Sequence, residues 1–330
     1  MHIALCHDAL IPPPTYGGTE RVIVWLAQAL LGLGHQVTLV TREGSALLGA
    51  KWAPWREGVP LDQLVPAECD VIHLWAPPGE QEPSRPFLVT IGGNGKPGET
   101  FSRNTVFVSR KHAENHGSTS YVYNGIEPSE FQCDERRLDH FVFLAKASWK
   151  VKNLEGAIAL ARRAGAKLEV LGSRSLPGNL HRLLPRIRGV RYHGMVGDRE
   201  KREVLKNARG LLFPVRWHEP FGIALTEALA SGCPVFGTPY GSLPEIVTPA
   251  VGVLSANGDE LLAGMRRAMA GEYSPAVCRE RVFQGFTAQQ MAERYLDYYS
   301  QVVQSGSLSK TEPVTLPRFL AQELLPWNSG

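Results

Sequence analysis

Short apolar runs alternate with amphipathic stretches almost from end to end, and this alternation limits the fold more than any other feature of the chain. Brief apolar runs bounded by turn residues suit strands covered on both faces, and helices between such strands supply the cover. HIALC, QVTLVT, DVIHLW, FLVTI and TVFVS are the candidate strands of the first part, and HFVFLA, KLEVLG, VRYHG, GLLFP and CPVFG those of the second. Between them, apolar positions recur at three- and four-residue intervals over Thr19 to Leu33 and Leu154 to Ala164, the mark of helices with one buried face. The expected fold class is α/β, with two doubly wound parallel sheets.

A chain of 330 residues with 43% hydrophobic content exceeds what one core usually organises. The break between two domains is expected near Asp139, after the polar stretch NGIEPSEFQCDERRLD, giving domains of residues 1–139 and 140–284. Phe286, Met291, Tyr295, Leu296 and Tyr299 stand at helical spacing, so Val282 to Val303 is expected to form one long final helix packed on something large. The tail to Gly330 carries no pattern.

The net charge of +3 is small for this length, and the basic residues are spread out apart from pairs such as Arg162-Arg163 and Arg266-Arg267, so no nucleic-acid partner is expected. Cys6, Cys69, Cys133, Cys233 and Cys278 are odd in number and widely spaced, without a C-x-x-C pair, which argues against disulfides or a zinc site and for a reducing compartment. MHIALCHDAL is broken by His7 and Asp8 and followed by prolines, which does not suit a signal peptide, and no apolar run approaches membrane-spanning length. A cytoplasmic location without a transmembrane segment is expected.

Several motifs fail on inspection. Gly17 and Gly18 precede Thr19, a candidate N-cap, and such a turn can receive an anion, but the spacing is not the dinucleotide fingerprint G-x-G-x-x-G. In IGGNGKPGET, Thr90 replaces the first glycine of a phosphate loop and Pro97 its Ser/Thr, so Gly92 to Lys96 reads as a flexible loop. His218-Glu219 lacks the second histidine of H-E-x-x-H, where Gly222 stands. His112 and His116 lie four apart on an expected helix and read as a solvated face rather than a metal pair. No D-x-D occurs, and no metal is expected.

WHEPFGIALTEALASGCPVFGTP, residues 217–239, passes the same tests. GLLFP is expected to be a strand, RWHEPFG the loop leaving its carboxyl end, and Ile223 to Ser231 a helix closed by Gly232. Ligands of open α/β sheets sit at that edge. Glu219 and Glu227 could each bind a pair of hydroxyls, with helix-start N–H groups around Phe221-Gly222-Ile223 facing a phosphate between them. By spacing alone, a surface loop carboxylate and a solvated helix carboxylate would read equally well. Lys146, expected at a strand end, and Lys152, ahead of a helix, suit a diphosphate leaving group, although two solvated loop lysines would give the same pattern.

EPFGIALTEALASGCPVFGT resembles, nearly position for position, the signature E-P-F-G-x-x-x-x-E-A-x-A-x-G-x-P-V of the retaining GT-B glycosyltransferases of family 4, the glycosyl transferases group 1. PPPTYGGTERVIVWLAQALLGLGHQVTLVT, VFVSR, VYNGIE, Lys152-Asn153 and VRYHGMV extend the similarity through the chain up to the tail. The resemblance implies two Rossmann-like domains facing across a cleft: an acceptor domain of residues 1–139, joined by the final helical region of about 285–330, and a nucleotide-sugar donor domain of residues 140–284. It also implies that Glu219 holds the donor sugar, Glu227 the ribose hydroxyls, and Phe221, Gly222, Ile223 and Ala224 the sugar and phosphate through backbone N–H groups. Lys152 would hold the diphosphate, Met195 beside Gly194 would border the base, and Gly18 would approach the phosphates from the other domain. The chain departs from the family at Ala145-Lys146, where a Gly-Arg pair is usual, and at TIGGNG, where many members carry a histidine.

The expected function is therefore transfer of a sugar, with retention and without a metal or cofactor, from a nucleotide sugar such as a UDP-sugar to a hydroxyl of a small or soluble acceptor rather than a lipid. Alternatives left open are a non-catalytic homologue that binds a nucleotide or partner protein, and a GT-B nucleotide-sugar epimerase.

Overall fold

The computed structural model describes residues 1–15, 17–79, 81–134, 136–172, 189–317 and 324–330. The chain divides into two compact units, Met1–Glu127 with Gly285–Ala321 and Pro128–Gln284 with Gln322–Gly330. The first division lies ahead of the Asp139 expected from the polar stretch, because Pro128 to Asp139 packs with the second unit: Asp134 N–H donates to the Lys206 carbonyl at 2.8 Å and Leu138 N–H to that of Asn207 at 2.7 Å.

In the first unit the elements are β1 (His2–Cys6), α1 (Gly18–Gly32), β2 (Gln36–Thr41), β3 (Lys51–Pro54), α2 (Leu61–Leu64), β4 (Val71–Leu74), β5 (Phe87–Ile91), β6 (Thr105–Phe107) and α3 (Arg110–Asn115). The second unit contains β7 (His140–Leu144), α4 (Leu154–Arg163), β8 (Lys167–Leu171), β9 (Val190–Gly194), α5 (Asp198–Leu205), β10 (Gly210–Phe213), α6 (Ile223–Ala230), β11 (Val235–Gly237), α7 (Leu243–Ile246), β12 (Gly252–Leu254), α8 (Gly258–Met269) and α9 (Pro275–Phe283). The chain then returns to the first unit as α10 (Ala288–Ser305).

The sheets run β3-β2-β1-β4-β5-β6 and β12-β11-β10-β7-β8-β9, and their strand pairs are parallel. Counted from its own first strand, each sheet has the doubly wound order 3-2-1-4-5-6, so the α/β expectation holds in both halves. All ten candidate strands are present, and β1, β5 and β7 are buried at every position, as apolar runs covered on both faces require.

Three expectations are corrected. Helix α1 opens one residue before Thr19: Gly17 occupies the N-cap without a side-chain cap, and Arg21 N–H bonds its carbonyl at 3.2 Å. The final helix is two helices. Residues 284–287 break the helix, and Ile126 pairs across the break: its N–H donates to the Phe286 carbonyl at 3.0 Å and its carbonyl accepts from Ala288 N–H at 2.7 Å. A new helix then starts from a Thr287/Gln290 capping box. This approach also explains the glycine of VYNGIE, since a Cβ on Gly125 would stand 2.2 Å from the Thr287 carbonyl oxygen. The tail, finally, does not all join the first unit: Arg216 Nε donates to the Leu325 carbonyl and Leu325 N–H to that of Arg216, both at 2.9 Å, within the second.

Helix α10 does pack on a large surface, the first sheet. Tyr299 Oη bonds His73 Nδ1 at 2.7 Å, Tyr295 Oη bonds Thr90 Oγ1 at 2.8 Å, and His73 Nε2 meets the same Thr90 hydroxyl at 2.8 Å. These polar atoms are all buried and partnered, which is what lets two tyrosines and a histidine sit inside a core.

Candidate active site

In the second sheet the winding reverses between β7 and β10, and the carboxyl ends of strands at such a reversal are where ligands of open α/β sheets bind. The two exits are bonded to each other. Arg216 N–H donates to the Val151 carbonyl at 2.7 Å, and Asn153 Nδ2 to that of Pro214 at 2.9 Å. Asn153 takes the left-handed backbone conformation, φ 55°, and its side-chain oxygen accepts Gly156 N–H at 3.1 Å to cap α4. One residue thus ends the turn carrying Lys152, starts a helix and ties both to β10.

Lys152 Nζ donates to Glu219 Oε2 at 2.6 Å, and Trp217 Nε1 donates to the same oxygen at 2.6 Å. The two charged side chains are only 10% and 7% exposed. The ammonium also lies 4.6 Å from the Trp217 ring centre and 5.3 Å from that of Phe213. A carboxylate and an ammonium taken this far out of water depend on each other. Burial removes the surface-loop reading of Glu219 and the solvated reading of Lys152. Lys146 differs: it stands two residues beyond the end of β7 and is exposed, with Nζ 4.7 Å from the Trp149 ring centre.

The Glu219 backbone is fixed from a second loop. Ser242 N–H donates to the Glu219 carbonyl at 2.9 Å and Ser242 Oγ to that of Phe221 at 2.6 Å. Gly222 then enters α6 at φ 82°, a conformation that favours glycine. The N–H groups of Ile223 and Ala224 follow at the helix start, where intrahelical acceptors do not exist. Phe221 is buried beneath them.

Glu227 lies in the second half of α6 and is buried, which removes the solvated-helix reading. Its Oε1 is ion-paired with Lys201 of α5, itself buried and 3.1 Å from Asp198. Gly194 ends β9 at φ 75° and Met195 beyond it is exposed. Beside them His193 is held by two carboxylates, Glu169 at 2.6 Å and Glu200 at 2.9 Å. Burial pushes the imidazole down, but the hydrogen bonds to these carboxylates outweigh it, and its pKa lies above the usual histidine value. Gly18 belongs to the first unit, where it opens α1.

His112 and His116 do not form a solvated face. Both are buried, and each uses both ring nitrogens: His112 between Val108 N–H and the Gly93 carbonyl, His116 between Gly95 N–H and the His112 carbonyl. Burial, aided by neighbouring His116, pushes His112 down to about 3, and burial lowers His116 as well. These are neutral core imidazoles that pin the Gly92–Lys96 segment to α3.

Sequence reading overlooked Trp217, Gly241, Ser242 and Lys201. Trp217 adjoins the signature and TPYGSLPE follows a strand, so position could have flagged three of them. Lys201 has no such signal, because its partner Glu227 lies on another helix.

Among known proteins, residues 137–284 match the family model described as glycosyl transferases group 1. An uncharacterized glycosyltransferase of Methanocaldococcus jannaschii, MJ1607, is 26% identical over 211 residues, 54% of this chain and 53% of that protein. The match thus spans about half the length of that curated relative. Among solved structures, AviGT4, a glycosyltransferase involved in avilamycin A biosynthesis, superposes with a TM-score of 0.74 at 24% identity over 92% of this chain and 98% of its own. Sucrose-phosphate synthase from Thermosynechococcus elongatus gives 0.69 at 17% identity, covering 92% and 99%. Anabaena Alr3699/HepE in complex with UDP-glucose gives 0.62 at 15% identity, covering 91% and 100%. The structural likenesses show the two-domain GT-B architecture, and the family model and the archaeal relative support a glycosyltransferase. Among the described residues, no helix is long and apolar enough to cross a membrane.

Proposed function

We propose that this chain is a group 1 glycosyltransferase of family 4 that moves a hexosyl group, with retention, from a UDP-sugar to an acceptor hydroxyl. The observation that carries the reading is the buried Lys152–Glu219 ion pair, joined by Trp217, at the β7/β10 switch point directly ahead of the α6 N-terminus. A diphosphate suits this place because helix-start N–H groups and a lysine both favour negative charge. The UDP-glucose complex of the Anabaena protein supports the choice of donor.

In this reading the second unit takes the donor and the first the acceptor. Glu219 accepts hydrogen bonds from the sugar hydroxyls, while Lys152 offsets its charge and faces the diphosphate. Glu227 holds the ribose, and Gly194 and Met195 border the base. The acceptor oxygen bonds to the anomeric carbon on the face from which the diphosphate departs. The electron pair of the breaking C–O bond leaves with the diphosphate, whose phosphate oxygen takes the acceptor proton. Lys146, Lys152 and the N–H groups of Ile223 and Ala224 stabilise the charge that builds there, without a resident metal. Glu219 is not assigned the part of nucleophile: Lys152 and Trp217 hold its Oε2, and its remaining acceptor capacity is given to the sugar hydroxyls.

The test is thermal unfolding of the protein against UDP, GDP, ADP, CMP and NAD and the corresponding nucleotide sugars. A raised midpoint with UDP and its sugars, followed by glycoside formation with retained anomeric configuration, is expected. Stabilisation by none of them, or by NAD alone, would overturn the proposal.

A further inference from the structure

Lys201 is 3% exposed and its ion-pair partner Glu227 4%, on two helices far apart in sequence. Burying an ammonium is costly unless partners surround it, and a pair of this kind adds little to stability compared with apolar residues of the same volume. Its location suggests what it does. Glu227 lies in the last turn of α6, where the carbonyl end of a helix disfavours an anion, and α6 has no basic residue there to offset it. Lys201 supplies that cation from α5. Asp198, one turn earlier on α5, lies 3.1 Å from the same ammonium.

We propose that Lys201 is a positioning residue for the nucleotide: it orients the Glu227 carboxylate so that its remaining acceptor capacity meets the ribose hydroxyls. A carboxylate offers about four lone-pair sites, and Lys201 engages that of Glu227 through Oε1. Recognition of a ribose by its hydroxyls, rather than of phosphate alone, then depends on a lysine that never touches the ligand. This inference rests on the reading of Glu227 as the ribose carboxylate.

The experiment is titration calorimetry of wild-type protein and Lys201→Met with UDP, GDP and ADP, each beside its 2′-deoxy counterpart, and with pyrophosphate as a phosphate-only probe. Wild type is expected to favour the ribonucleotide by about tenfold or more, the effect of one well-made hydrogen bond to a charged group. Lys201→Met is expected to weaken the ribonucleotide by about 10- to 100-fold, as loss of a supporting contact does elsewhere. The deoxynucleotide and pyrophosphate should change little, so the ribose preference collapses. If Lys201→Met keeps that preference, with both nucleotides weakened equally or not at all, Lys201 only braces two helices and the inference is overturned. If wild type prefers none of the three ribonucleotides, the reading of Glu227 fails first and the inference falls with it. Should Lys201→Met not fold, Lys201→Gln, which keeps an N–H donor, is read by the same ratios with a smaller fall expected.

Discussion

Gly241 lies against the backbone of Glu219: at φ 66°, a Cβ on residue 241 would stand 2.2 Å from the Glu219 carbonyl oxygen and 2.3 Å from its nitrogen. No side-chain rotation relieves a clash with backbone, so Gly241→Ala must displace the loop that presents Glu219 and Trp217. Displacement on the scale of an ångström costs about 100-fold in a positioned reaction. Sugar transfer is expected to fall on that order, while strain lowers stability by about 1–3 kcal/mol. Parallel assays of transfer and thermal unfolding measure both; unchanged transfer would show that the loop tolerates movement.

Asn153 combines a left-handed backbone with two side-chain hydrogen bonds, one capping α4 and one reaching the Pro214 carbonyl. Alanine loses the cap, about 1 kcal/mol, and still pays about 1–2 kcal/mol for that conformation. Glycine relieves the backbone and is a fair N-cap. Asn153→Ala is therefore expected to destabilise the protein more than Asn153→Gly in urea unfolding. The opposite order would mean that the extra freedom glycine gives the unfolded chain, rather than the strain of the left-handed conformation, dominates.

His112 of the first unit and His193 of the second pull stability in opposite directions with pH. His112 is pushed down to about 3 when folded and returns to about 6.5 when unfolded. Its contribution is present above pH 6.5 and is lost as pH falls toward 3, by about 1.4 kcal/mol per pH unit. His193 is raised, so its contribution is complete below about pH 6.5 and is lost as pH rises through its higher folded value. Urea midpoints measured across pH should show a shallower acid loss in His112→Gln and a shallower alkaline loss in His193→Gln. Parallel pH profiles for wild type and both variants would contradict these assignments.

How much of the molecule is legible in its sequence depends on where the information lies. Strands such as FLVTI and KLEVL announce themselves because a sheet covered on both faces needs continuous apolar runs, and β5 and β8 lie where those runs predict. Glu219 and Glu227 were visible because the turn and helix around them are local in sequence. The start of α10 was missed because Ile126, in another part of the chain, takes up the backbone of residues 286–288. His112 and His116 misled for a similar reason: a four-residue spacing fits a wet helix face and a buried hydrogen-bond pair equally well, and only Gly93 and Gly95 decide between them. Lys201 was invisible because an ion pair between two helices leaves no periodic trace.

The most direct test of the proposed donor site separates the two carboxylates assigned to it. Calorimetry with UDP on Glu219→Ala and Glu227→Ala, alongside a transfer assay, assigns each to sugar or nucleoside. Glu219→Ala is expected to abolish transfer while holding UDP nearly as well as wild type, because the lost contact is to the sugar. Glu227→Ala is expected to lose UDP itself. If Glu219→Ala loses UDP while Glu227→Ala keeps it, the donor does not lie along α6 as described and the account is wrong.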